Sequence, residues 1–112
     1  MATFLVQRLR SGAEWDPSLP LEEQSGWTDH AAFMDGLFAD GFVLLGGLLA
    51  DEHRVVLVVE AETDEAVRAT LADDPWSDTH LVLETVDAWT IRLDGLRRSR
   101  QGGASPPLYP PA

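Results

Sequence analysis

The chain contains no cysteine, and its eight basic residues are all arginine, set against 19 acidic ones for a formal net charge of -11. The lack of cysteine excludes disulfides, thiol nucleophiles and thiolate metal sites, and it fits a reducing compartment, so cytoplasmic residence is the expectation. The shortage of positive charge argues against nucleic acid or an anionic membrane as partner, because the chain as a whole repels phosphates. Its one local basic cluster, Arg97, Arg98 and Arg100, borders a Gly/Pro-rich end. Long apolar runs are missing too, since no segment approaches the roughly 18 to 20 residues that a membrane-spanning helix needs. No charged stretch followed by an apolar one opens the chain, so no signal peptide is expected.

What is present is a globular composition. With 112 residues, 45% of them hydrophobic, the chain predicts one domain that buries about two-thirds of the surface its unfolded form would expose. Thr3 to Leu9 is short and mostly apolar and reads as a first strand. From 10 to 27 the pattern stops, and glycine, serine and proline with Trp15 and Trp27 make a long loop of the kind that often carries function. Thr28 is a good N-cap and Asp29 suits the positive end of a helix, while Phe33, Met34, Leu37 and Phe38 recur at helical spacing up to Gly41. Phe42 to Leu45 gives a second strand, interrupted at Gly46-Gly47 by a bulge or a close backbone approach.

Val55 to Val59 is the clearest strand. Thr63 then caps a second helix with Asp64 and Glu65 in its first turn, and Pro75 forbids its continuation past Asp74. Leu81 to Leu93 alternates and reads as one long strand or two. The order is βαββαβ, which predicts an α+β domain of ferredoxin-like type over 1-96 and a disordered tail of polyproline character over 97-112.

A domain of this order places both helices on one face of its sheet and leaves the other open. Val55 to Val59 is nevertheless apolar at both parities. An unbroken aliphatic run in an antiparallel sheet implies that something also covers the second face, and a second copy of the chain is the simplest cover. A homodimer is therefore expected, with the long loop or the tail as the other possible cover.

Two positions can carry chemistry. His30 lies in the first turn of the first helix, on the side of Phe33, Met34 and Leu37; the dipole there favours a neutral imidazole able to accept a proton, and a neighbouring carboxylate would orient the ring. Asp74 stands in Asp73-Asp74-Pro75-Trp76, at the exit of the second helix. If both helices start at the same end of the sheet, a helix of about ten residues separates these groups by ~15 Å, and they meet only through a fold-back, an offset or a partner subunit. His30, His53 and His80 share no paired metal-ligand spacing, and Gly46-Gly47 does not open a helix, so neither a metal nor a nucleotide cofactor is expected.

The histidine opening the first helix, the run Gly41-Phe-Val-Leu-Leu-Gly46-Gly47, the apolar third strand ending in Glu60-Ala61 and the Asp74-Pro75-Trp76 turn together resemble the YciI-like (YCII-related) family of small dimeric α+β barrel proteins, from Phe4 to Trp89. The resemblance implies a ferredoxin-like fold, a dimer and a pocket centred on a His/Asp pair, here His30 and Asp74. Most of that family has no known reaction, and one similar group removes chloride from chlorinated hydroxyquinols. This points to cofactor-free acid/base chemistry of an elimination or isomerisation type on a small molecule, with His30 as acid/base and Asp74 holding its tautomer. Arg8 or Arg54 would bind an anionic oxygen, and Trp15, Trp27 and Trp76 would line the pocket for an aromatic substrate. Two other readings are a non-catalytic dimeric ligand-binding or accessory module and a cofactor-independent oxygenase.

Overall fold

In the first strand, β1 (Ala2–Leu9), burial alternates: Phe4, Val6 and Arg8 point into the protein and their neighbours outward. The structure, a computed structural model, describes residues 1–96; the tail expected over 97-112 lies outside them. The remaining main elements are α1 (Trp27–Ala39), β2 (Val43–Leu48), β3 (Arg54–Ala61), α2 (Asp64–Ala72) and β4 (Val82–Ala88). The strands form one four-stranded sheet in the order β2-β3-β1-β4, with every neighbouring pair antiparallel. Among the described residues the fold is thus α+β, with two main helices and one antiparallel sheet.

Strand β3 follows the same alternation as β1, with Leu57, Val59 and Ala61 buried. These side chains, with Phe4, Val6 and Val43, pack against Val67 and Leu71 of α2 and Met34 and Leu37 of α1. Both helices therefore cover one face. On the other face Leu5, Val56 and Val58 are half-buried and Leu45 is 53% exposed, and no described element lies across them.

Strand direction decides where the helix ends fall. Leu9 pairs with Arg54 and Ala2 with Ala61, so α1 leaves the sheet at the end where β1 finishes, while α2 leaves it at the opposite end. The expectation that both helices start together is therefore corrected: the head of α1 and the exit of α2 share one end of the sheet.

The helix termini follow local chemistry, with one revision. Helix α1 begins before Thr28. Its N-cap is Gly26 at φ 74, a left-handed turn that glycine adopts without steric penalty, and His30 N–H closes the first turn on the Gly26 carbonyl at 3.0 Å. At the far end Gly41 sits at φ 83. Its amide bonds the Phe38 carbonyl at 3.1 Å and the Phe42 amide bonds Leu37 at 3.0 Å, which is a Schellman closure. Helix α2 starts as its sequence predicts, with the Thr63 hydroxyl accepting from Ala66 N–H at 3.1 Å.

Two strand bounds also differ from expectation. Strand β2 runs through Gly46-Gly47 to Leu48, and its irregularity falls earlier, between Val43 and Leu45; Gly46 is instead a close approach, where a Cβ would lie 2.7 Å from Leu57 Cδ2. Strand β4 ends at Ala88; the Trp89 amide still bonds the Thr3 carbonyl at 2.9 Å, and Thr90 to Leu93 leave the sheet.

The long loop contains a 3-10 turn at Leu21–Glu23 and is pinned from within. The buried Gln24 amide accepts from Asp16 N–H at 3.0 Å and donates to the Leu19 carbonyl at 3.0 Å. The loop is also tied to the turn after α2, through Gly12 N–H to His80 O at 3.2 Å and Glu14 N–H to Thr79 O at 2.7 Å. No described helix is long and apolar enough to cross a membrane.

Candidate functional site

Helix α2 stops at Asp73, and the next residues form a tight turn organised by one carboxylate. Asp74 Oδ1 accepts from Trp76 N–H at 2.8 Å, while the Trp76 carbonyl gathers the amides of Thr79, His80 and Leu81 at 3.0 to 3.2 Å. Pro75 makes this reversal compulsory, because it cannot extend a helix. The turn lies at the end of the sheet where α1 begins, and there Asp74 meets two partners. His30 Nδ1 is 2.8 Å from Asp74 Oδ1, and Arg8 Nη1 donates to Asp74 Oδ2 at 2.8 Å.

All three side chains are buried, with Asp74 at 0% exposure and His30 at 10%. Burial is the largest single influence on the Asp74 carboxyl and pushes it up, but the hydrogen bonds from His30, the Trp76 amide and Arg8 together outweigh it and hold the group below the usual carboxylate range. An ionised carboxylate only accepts hydrogen bonds, so Nδ1 of His30 carries its proton and Nε2 presents a lone pair in the neutral ring. Among the described residues Nε2 has no hydrogen-bond partner. The arrangement can therefore take a proton from a small molecule at Nε2 while Asp74 stabilises the charge that develops on the ring.

Aromatic rings complete the surroundings. Trp76, 1% exposed, stacks on His30 with centroids 4.0 Å apart and planes 6° from parallel. Trp27 leans on both rings at 5.9 Å, and Trp15 meets Trp76 edge-on at 5.9 Å with the Arg10 guanidinium over its own face at 4.7 Å. The three expected tryptophans are thus brought together, with Trp76 as the buried centre of the cluster and Trp15 and Trp27 half-buried around it.

No family model and no curated protein significantly matches the chain.

The two arginines fall differently from one another. Arg8 is at the site but engaged: besides Asp74 it reaches Met34 Sδ at 3.7 Å through Nη2, and its buried Nε has no partner among the described residues. Its position holds the Asp74 carboxylate and offers a substrate no free fork. Arg54 is not brought to the site. It lies on the opposite face of the sheet, paired with Glu84 and donating to Gln7 Oε1 at 3.3 Å. A cleft of about 760 Å³ among Thr3, Gly41, Leu44, Glu60 and Trp89 lies at the other end of the sheet from His30. Among the described residues no three or more His, Asp or Glu side chains gather as metal ligands.

One contributor has a different role from the one its sequence suggests, and one lies outside the sequence reading of the site. The bond from Arg8 to Asp74 was legible in outline, because strict alternation puts Arg8 on the inward side with Phe4 and Val6, where a charge needs a counter-charge. In the sequence, His80 stands out only as a metal-ligand candidate without a paired partner. It is 3% exposed and stacks on Trp76 with centroids 4.6 Å apart.

Proposed function

We propose that this chain is a ferredoxin-like domain of YciI-like type that works as a homodimer and uses His30 as a general acid/base on a small, enolisable or aromatic molecule, in an elimination or isomerisation without a cofactor. The observation that carries the reading is the 2.8 Å contact of His30 Nδ1 with an ionised, buried Asp74, which leaves Nε2 as the one unengaged nitrogen of an imidazole oriented from behind. Arg8 makes the cluster electrically neutral, so the carboxylate persists in a buried setting.

The strand order β2-β3-β1-β4 with two helices on one face supports the ferredoxin-like reading. The apolar face formed by Leu5, Leu45, Val56 and Val58 supports a second copy as its cover. Trp27, half-buried beside His30, favours a flat, aromatic substrate over a strongly charged one.

The test is exchange chemistry. The full chain, incubated in D₂O with a panel of enolisable phenols and chlorinated hydroxyquinols, incorporates deuterium at the acidic carbon or releases chloride, and His30→Gln abolishes both. Proton abstraction by an oriented base is worth about 10² to 10⁴ in rate, well within reach of mass spectrometry and chloride detection. Absence of both signals across the panel, or equal rates in His30→Gln, refutes the assignment.

A further inference from the structure

The turn that carries Asp74 also holds an imidazole for which the proposed acid/base chemistry has no use. His80 is buried, its ring lies on Trp76, and both of its nitrogens are engaged: Nδ1 is 2.9 Å from Thr79 Oγ1 and Nε2 is 2.9 Å from Ser25 Oγ. The direction of each bond follows from proton count. Thr79 gives its only hydroxyl proton to the Pro75 carbonyl at 3.2 Å, so its oxygen accepts from His80 Nδ1–H. Nε2 of the neutral ring is then an acceptor, and Ser25 donates its hydroxyl proton to it.

The relay is fixed at each member. The Ser25 carbonyl takes the Trp76 indole N–H at 2.9 Å. The backbone of Thr79 and His80 is clamped by the amides of Gly12 and Glu14, and Gly12 is packed so closely that a Cβ there would lie 2.3 Å from the Thr79 carbonyl oxygen. Ser25 itself is exposed, and α1 starts two residues later with no side chain capping its first turn.

We propose that Ser25 is a nucleophile activated by His80, with Thr79 as a positioning residue, and that this relay transfers acyl groups from small carboxylic esters. Ser25 Oγ bonds to the ester carbonyl carbon while its proton passes to His80 Nε2 and the carbonyl electron pair moves onto oxygen. When that pair returns, the bond to the alcohol oxygen breaks, and the alcohol leaves with the proton from Nε2. Water then attacks the acyl-serine by the same transfer, releasing the carboxylic acid and restoring the Ser25 hydroxyl. No redox change occurs, and Thr79 keeps the ring oriented while it is charged. Small esters fit because Ser25 stands at an exposed surface and not within a deep cavity. His30 and Asp74 take no part, so the inference stands or falls apart from the proposed proton chemistry.

Reaction of the full chain with a fluorophosphonate, followed by peptide mapping, tests the assignment. One adduct per chain at Ser25 is expected, together with turnover of p-nitrophenyl acetate, and Ser25→Ala removes both. His80→Gln slows adduct formation by about 10² to 10⁴; Thr79→Val lowers the turnover number with little change in KM, and Thr79→Ser restores it. Should His80→Gln lose its far-UV circular dichroism, the Thr79→Val and Thr79→Ser pair carries the comparison. A folded wild-type chain that forms no adduct at Ser25, or forms it as fast in His80→Gln or Thr79→Val, overturns the proposal.

Discussion

Replacing Asp74 with Asn probes the buried cluster most directly. The change is nearly isosteric, so the Trp76 amide and His30 Nδ1–H keep an oxygen to donate to. The Arg8 guanidinium, 4% exposed and with Nε already unpartnered, loses its counter-charge. Hydrogen bonds to charged groups contribute about 1.5 to 3 kcal/mol each, and breaking one side of a buried ion pair costs about 3 to 5 kcal/mol. The larger figure matters here because it is a sizeable part of the ~5 to 15 kcal/mol that holds a domain folded. At about 4 °C or more per kcal/mol for a small domain, Asp74→Asn lowers the melting temperature by at least about 12 °C.

The assay is urea unfolding at pH 7 followed by circular dichroism. The control is Arg8→Met/Asp74→Asn, which removes the orphaned charge and recovers about 1 to 3 kcal/mol relative to Asp74→Asn alone. The sign of the pH dependence follows from the depressed Asp74 carboxyl. In the unfolded chain this group binds its proton near pH 3.8, and in the folded chain only at lower pH. Its contribution is therefore complete above that ordinary value and is lost as pH falls through the folded one, and Asp74→Asn removes this part of the acid slope. A cost under about 1 kcal/mol, or a double variant no more stable than the single one, refutes the account of the cluster.

Other consequences are as sharp. Long-range ¹H-¹⁵N spectra of the histidines at neutral pH show His30 protonated at Nδ1 and His80 likewise; an Nε2–H form of His30 contradicts the orientation by Asp74. Leu45→Arg puts a charge on the exposed edge-strand side of the open apolar face and converts a dimer into a monomer by light scattering, with the far-UV spectrum retained; a mass unchanged by this variant counts against a dimer through that face. Gly12→Ala forces a methyl group against the Thr79 carbonyl and destabilises the fold by about 1 to 3 kcal/mol, as overpacking does, with a change in tryptophan fluorescence as the Trp15 and Trp76 contact shifts. A neutral result there means that the loop is not clamped to the His80 turn.

Much of the chain was legible without coordinates. Thr63 as an N-cap, Gly41 as a C-terminal stop, Pro75 as a breaker and the alternation of β1 are choices made within a few residues, and the structure has them in place. The start of α1 differs because Thr28 is a good cap in isolation, whereas the chain enters the helix through a left-handed Gly26 packed beside Trp76, whose Nε1 would lie 3.2 Å from a Cβ at that position. The limits of β4 differ for a related reason: alternation continues past Ala88, but Ala88 already faces Phe4, and β1 extends only two residues beyond that partner, to Ala2.

The sequence by itself determined which elements form, their order, and that a histidine opens one helix while an aspartate closes another, because capping, periodicity and proline chemistry act over a few residues. The meeting of His30 with Asp74 is a tertiary fact. It depends on β1 and β3 running antiparallel, which brings the start of α1 and the end of α2 to the same edge, and on Arg8, 66 positions from its partner, neutralising the carboxylate there. Pairing at such separation is decided by the packing of the whole sheet, and no short window of residues contains it.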